Sequence, residues 1–584
     1  MADGERDVKI ETAHEEVEGP DEKPPIVRTN SHLDENHIKL GWRSWMAVFV
    51  SCFAIMAQVF VVVAAGSVIA FIVRDLGETS ISGWIIQAPL LMQAVLSPII
   101  GRLSDVLDRK WLATIPPLIA FIGAVVSAKA QSMAVLIGGS VLIGTTLSTI
   151  AIVQAIPSEV LPLRYRALAN GFAYMGGAIG GLVGTLGAGG VTNRSASGWR
   201  DIFWIQAAFH LASCLGLLFC YSPPRRSDFP KMPIRDYIWL CDPVGSLLYV
   251  VSSTLMLMAL DWAGGAYAWS NVHVAVPLSI GLVLLVAFGL YEWKGRNDGL
   301  VAHVFFERNH NFALSVFAFA VEGWIYYSAV NSVVPQIILN LGFESSAWII
   351  SIRQLSFNLP IILIPIPVVW YSTKYKDLKW PLLIAFTCFI VVSICYTTIN
   401  PNLNHAQIGY NVITALGQSA PLTLIVALVQ FTAPHAYLST ATGLAFSARA
   451  IGGAFGSAVL DAIINGNIAS NYQAKVSRAA LSSGLPASSL PALFKALAAG
   501  SPEAVQAVPE INPGIIDAVE NASHWAYARA YNLAWASVIP FVVIALVCVA
   551  CLKGVKELMT DHVEATVEKT DKISGDVSTH LESQ

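Results

Sequence analysis

Charge is scarce in this sequence. Asp, Glu, Lys and Arg make up 13% of its 584 residues, about half the share usual in a soluble domain. Hydrophobic residues make up 55% and the mean hydropathy is +0.60, which excludes water as the solvent for most of the chain. The net charge of −4, without any basic run, excludes a nucleic-acid partner. The eight cysteines lie in or beside apolar stretches, and their spacing gives neither a disulfide framework nor a zinc site. A G-x-x-x-x-G-K-[ST] phosphate loop is missing, as is a G-x-S-x-G nucleophile in a strand–turn–helix setting, so ATP-driven transport and an intramembrane enzyme are set aside. No cofactor and no metal is expected. The first forty residues are acidic and show no basic-then-apolar-then-small pattern, so they are read as a disordered cytoplasmic tail rather than a cleaved signal.

What the sequence has instead is long apolar runs. A bilayer core about 30 Å thick needs roughly 20 residues at about 1.5 Å each. About fourteen such runs stand out, at 45–73, 83–100, 111–128, 133–153, 167–190, 202–221, 243–260, 272–294, 312–335, 347–371, 380–397, 407–431, 437–464 and 533–553. They divide the chain into a tail at 1–43, a six-helix half at 44–221, a linker with two inserted helices at 222–311, a second half at 312–553 and a tail at 554–584. Every second loop is basic: Arg102, Arg109 and Lys110; Arg164 and Arg166; Arg225, Arg226, Lys231 and Arg235; Arg296 and Arg308; Lys374, Lys376 and Lys379. The positive-inside rule puts these loops and both termini in the cytoplasm. The sequons at Asn193 and Asn521 fall in loops that this count places outside, where they are candidate glycosylation sites. The long outer loop 466–532 reads as a connector with short surface helices.

Between the second and third runs stands GRLSDVLDRK. Its Gly101, Asp105, Asp108, Arg109 and Lys110 follow the pattern G-x-x-x-D-x-x-G-R-[RK], the signature that major facilitator transporters carry at this place. The chain therefore resembles that superfamily. Gly101 lets backbones approach, Asp105 can face the positive end of a neighbouring helix, and Arg109 and Lys110 suit the anionic leaflet. The resemblance implies a reversible latch between the halves. Asp108 departs from the signature's glycine, which implies a looser turn. Ser372 to Lys379 looks like a decayed copy in the second half. Six spans, an inserted pair and six more resemble the fourteen-span facilitators, an all-α integral membrane fold with its substrate site at mid-membrane between the halves.

Within that superfamily the chain departs from the fourteen-span drug:proton antiporters. No carboxylate occurs from Ala57 to Phe71, Ser140 stands where the fourth span would carry arginine, and Gly177 replaces the proline of the fifth. These absences, the acidic tail, the long last outer loop and the stretch from Ala441 to Gly453 together resemble the fungal trichothecene efflux pump family, with siderophore iron transporters as close relatives. The resemblance implies proton-coupled export of a trichothecene-like toxin or other secondary metabolite at the plasma membrane. It leaves siderophore–iron import as an alternative, and a non-transporting membrane sensor as a second. A monomer is expected.

An ionisable group deep in a span costs roughly 2.5–3.5 kcal/mol on insertion scales, so each is a functional candidate. Glu322 lies in the ninth span, Arg353 in the tenth, and Arg449 and Asp461 in the thirteenth. Glu322 is the expected proton-coupling group, unless it pairs permanently with Arg353 or Arg449 and only holds helices together. Trp324, Tyr326, Tyr327 and Asn331 surround it in sequence and suit an oxygenated ring system. Gln58, Gln87, Gln206, His210, Gln354 and Gln418 either face the same cavity or hydrogen-bond between helices. The latch reading makes a prediction: Asp108→Gly, which restores the signature, changes the maximal transport rate more than the apparent affinity, and a shifted affinity at unchanged maximal rate counts against it.

Overall fold

The computed structural model describes residues 41–561 apart from 78–80, 108, 193–196, 223–232, 264–266, 308, 345–346, 500–501 and a few side chains within helices. Asp108, Asn193, Arg225, Arg226, Lys231 and Arg308 therefore lie outside the described residues. Among the described residues, fourteen helices are long and apolar enough to cross a bilayer. In chain order they are α1 Trp42–Gly66, α2 Trp84–Val106, α3 Arg109–Ala128, α4 Met133–Val160, α5 Leu163–Ala188, α6 Trp199–Cys220, α7 Pro243–Trp262, α8 Val272–Gly295, α9 Asn311–Asn340, α10 Trp348–Tyr375, α11 Lys379–Tyr396, α12 Asn404–Thr432, α13 His435–Ser482 and α14 Pro513–Ala550. Among the described residues there is no β-strand, only one isolated bridge between Ala263 and Tyr267. The fold is an all-α membrane bundle.

Helices α1 to α6 pack mainly on one another, as do α9 to α14, while α7 and α8 form a hairpin. Two seams join the bundles: α2 runs along α13, and α5 along α12 and α10. The hairpin sits over the first seam, where Leu257 of α7 packs with Ala94 and Val95 of α2 and Ala450 of α13. The α2–α13 approach depends on missing side chains. A Cβ on Gly101 would lie 2.4 Å from the Ser439 carbonyl oxygen, and one on Gly443 would lie 2.5 Å from that of Ser97. Packing, not hydrophobicity, associates helices in lipid, and small residues permit it.

Several spans are broken where the chemistry is concentrated. Helix α4 is interrupted between Leu147 and Ile150, and Gln58 of α1 ties down the break by donating to the Thr146 carbonyl at 2.8 Å and to Thr149 Oγ1 at 3.2 Å. Helix α9 widens into a π-helix over Trp324–Val333, two residues after Glu322; such bulges are frequent at functional sites. Prolines 360 and 365 divide α10.

The segment 466–532 holds a helix where short surface helices are expected, and is otherwise more than a connector. Helix α13 continues unbroken to Ser482 and α14 starts at Pro513, with a helix at Leu490–Ala499 between them. Val476, Ala480, Leu485, Leu493, Ala496, Val508, Ile515 and Val519 close a core of their own. The 45-residue helix Leu438–Ser482 is about twice as long as a bilayer core requires, so its far end supports a small helical cap. Asn521 is exposed on α14, in a helix rather than a loop. A Cβ on Gly452 would meet the Ala320 carbonyl oxygen at 2.0 Å, whereas one on Gly466 meets nothing within 4 Å. Gly452→Leu should destabilise by about 1–3 kcal/mol or more as overpacking, and Gly466→Leu should leave thermal melting in detergent unchanged.

Candidate functional site

Glu322 and Arg449 meet in the interior of the carboxy-terminal bundle. Arg449 donates from Nε to Glu322 Oε2 at 2.5 Å and from Nη2 to Oε1 at 2.9 Å, a two-point pair between α9 and α13. Glu322 is fully buried, and Gln418 of α12 also donates to its Oε1. The third guanidinium nitrogen, Nη1, donates to the Tyr327 hydroxyl at 2.7 Å. Ring faces enclose the cation, with Tyr327, Tyr326 and Phe319 centroids 4.6, 5.0 and 5.4 Å from Arg449 Cζ. This convergence is possible because Gly323 has no side chain: a Cβ there would lie 2.0 Å from the Arg449 carbonyl oxygen. Tyr327 lies close to Gln93 of α2, and Tyr326 lies close to Tyr174 of α5. The ion pair belongs to one bundle, and its tyrosines reach the other.

A second polar cluster lies where α2, α3, α4 and α13 end, on the face that carries the basic loops. Asp105 accepts from the backbone N–H groups of Ser439 at 3.2 Å and Thr440 at 2.7 Å, and from Thr440 Oγ1 at 2.8 Å. A carboxylate of α2 thus caps the amino-terminal end of α13, where the helix dipole and unpaired donors favour negative charge. Arg109 reinforces the cap, donating from Nη2 to Asp105 Oδ1 at 3.0 Å and to Ser439 Oγ at 2.7 Å. Its Nη1 pairs with Glu159 at the end of α4, and Glu159 in turn lies 3.5 Å from His435 Nε2. The other seam is tied at the same end. Arg166 Nη1 donates to the Gln430 carbonyl at 2.8 Å, and Asn170 Nδ2 donates to Gln430 Oε1 at 2.9 Å. On this face both seams are closed by polar contacts.

The comparisons with known proteins bear on what such an assembly is. The family model described as Major Facilitator Superfamily matches residues 45–457. The chain belongs to the Major Facilitator Superfamily. Among curated members it is 26% identical to the MFS-type transporter prx5 of Penicillium rubens, over 80% of this chain and 84% of that one. It is 23% identical to the trichothecene efflux pump TRI12 of Fusarium sporotrichioides, over 87% of this chain and 86% of that one. A solved structure of the proton:xylose symporter XylE bound to 6-bromo-6-deoxy-D-glucose aligns with a TM-score of 0.49 at 12% identity, over 86% of this chain and 96% of that one.

As a Major Facilitator Superfamily carrier, the protein brings Glu322, Arg449, Tyr326, Tyr327 and Gln418 together, and Gly101, Asp105 and Arg109 together. It does not gather Arg353, Gln58 or Trp324 with them. Arg353 is held near the start of α10 by Glu344 at 3.2 Å, Gln407 at 2.7 Å and the Asn404 carbonyl, partners it does not share with Glu322. Gln58 spends its amide nitrogen on α4, and its buried Oε1 accepts no hydrogen bond. Trp324 packs on Phe541 and Phe455, inside its own bundle. Arg109 is 4% exposed and faces the seam rather than the leaflet, because its guanidinium is committed to two carboxylates. Lys110 is the neighbour that points outward, donating to Ser222 Oγ at 3.1 Å. Sequence reasoning missed Glu159, Asn170, Ser439, Thr440 and Gln430. A carboxylate closing the fourth apolar run was the available signal for Glu159; the others are common polar residues with none.

A double-mutant cycle tests the ion pair. Arg449→Met alone leaves Glu322 buried without its cation, at a cost of about 3–5 kcal/mol. Adding Glu322→Gln should recover most of that loss in thermal melting. A double variant as unstable as the single one would mean that Arg449 stabilises through its ring contacts and not through its charge.

Proposed function

We propose that this carrier is a proton-coupled efflux pump for a fungal secondary metabolite, a trichothecene-like or similarly oxygenated ring compound, at the plasma membrane. The observation that carries the reading is the two-point pair of Glu322 with Arg449 under the tyrosines between the bundles. A neutral Glu322 cannot hold the guanidinium by charge, so proton loading frees Arg449 and the Tyr327 hydroxyl bound to it. Cargo and proton then alternate at the site: cargo oxygens held on the cytoplasmic side by the donors around the ionised pair are released outside when proton loading rearranges those donors, and proton release re-forms the pair for the next cycle. Arg449's own charge already occupies the ring faces, which disfavours a cationic cargo and favours a neutral, oxygen-bearing one.

In this reading the basic face is cytoplasmic, with both termini on that side, and the protein works as a monomer. The contacts of Asp105, Arg109 and Arg166 belong to a state closed towards the cytoplasm, and the rocking that opens it must break them. The relatives named as efflux pumps support the direction. Asn521, exposed on the cap, is then an extracellular glycan acceptor.

Proteoliposomes with a pH gradient and a labelled metabolite test the coupling. Glu322→Gln should abolish gradient-driven accumulation while substrate binding persists; accumulation that survives the change places the proton site elsewhere. Asp105→Asn removes charge-assisted hydrogen bonds worth about 1.5–3 kcal/mol each, and should change the maximal rate with little effect on apparent affinity. A deletion strain challenged with a metabolite panel identifies the cargo. Toxin sensitivity is the outcome expected for export, and failure to grow on chelated iron would replace the proposal with siderophore import.

A further inference from the structure

On the basic face, away from both seams, the amino-terminal end of α1 and the carboxy-terminal end of α6 diverge around a cavity of about 460 Å³. Trp42, Arg43, Met46, Phe219, Cys220 and Ser222 line it, and none of these is acidic. Two cations attend it. Arg43 is exposed on the first turn of α1, and Lys110, at the start of α3, is fixed beside the cavity by its hydrogen bond to Ser222 Oγ at 3.1 Å.

The surroundings identify the level of the membrane at which the cavity lies. Trp42 and Phe219 are each 75% exposed, and Trp45, Phe49 and Trp111 are exposed on neighbouring turns of α1 and α3. In a bundle whose outer surface faces lipid, such rings at helix ends mark the boundary between headgroups and hydrocarbon. The cavity therefore has a charged rim at headgroup level and an apolar wall of Met46 and Phe219 pointing towards the bilayer core. A soluble metabolite would meet only half of that surface favourably. A two-part ligand, with a phosphate at the rim and chains along the wall, meets both.

We propose that this cavity binds one anionic phospholipid, its phosphate held between Arg43 and Lys110 and its acyl chains running past Met46 and Phe219. Basic pockets between helices on the cytoplasmic side bind such headgroups, while zwitterionic lipids gain less from the same cations. The site rests on the orientation proposed above, in which the basic face meets the anionic leaflet. It involves neither Glu322 nor the latch carboxylates, and Arg43 lies outside the signature that contains Lys110, so Arg43→Gln separates a failure of lipid binding from a failure of metabolite transport.

Native mass spectrometry of the full-length protein in neutral detergent tests it, with palmitoyl-oleoyl phosphatidylserine and phosphatidylcholine supplied at equal concentration. The expected result is one tightly retained phosphatidylserine. Arg43→Gln and Lys110→Gln should each weaken that retention about fivefold, and the pair of substitutions should abolish the preference. High salt should weaken it in the wild-type protein, a measurement that decides the matter even where a variant fails to fold. Three results would overturn the proposal: equal retention of the two lipids by the wild-type protein, a preference that survives both substitutions, or displacement of the lipid by inorganic phosphate at equal concentration, which would make it a site for small anions. Stronger phosphatidylserine binding after neutralising the acidic residues before Trp42 would also overturn it, because the chain's own acidic segment would then be the occupant.

Discussion

A hydrocarbon bilayer offers no hydrogen-bond partner, so every polar group that enters it must find one within the protein. The polar architecture here follows from that constraint. Gln58 spends its amide on the break in α4. Arg353 is satisfied by a carboxylate, an amide and a carbonyl near the start of α10. Glu322 and Arg449 satisfy each other. Where a helix must end at a seam, its unpaired N–H groups are met by Asp105 rather than by water.

The same constraint makes the two clusters suitable for motion. Each is a set of charge-assisted bonds stretched across a packing boundary, Asp105 across the seam between bundles and Glu322 between helices within one bundle. A bond of that kind has two well-defined states, made and broken, and the broken state is tolerable only when something else supplies charge or solvent. Carbon-on-carbon contacts along α2 and α13 slide without such a threshold. Glycines bring the helices close enough for the polar groups to reach each other, which is why Gly101 and Gly323 stand beside the two carboxylates they serve.

How legible this was in the sequence differs residue by residue. The spans were legible because their length and apolarity are local properties, and the loop signature was legible because its residues lie within ten positions of one another. The partners of those residues were not. Asp105 meets Ser439 and Thr440 more than three hundred positions away, and nothing local distinguishes that serine and threonine from others in the chain. Glu322 was recognisable as a costly charge, but Arg353 and Arg449 were equally plausible partners until the packing of α9 against α13 brought one to it. In 466–532 a short surface helix was legible from apolar periodicity, but the small core was not, because the residues that close it also come from α13 and α14.

By itself, then, the sequence determined that the protein is a fourteen-span membrane carrier and which few charged residues needed an explanation. Hydropathy and spacing act along the chain, and they suffice for that. The tertiary structure alone decided which charges pair, which end of the seams is closed, and that Arg109 turns inward while Lys110 turns out. These outcomes depend on how helices remote in sequence pack, and packing in lipid is set by shape rather than by composition.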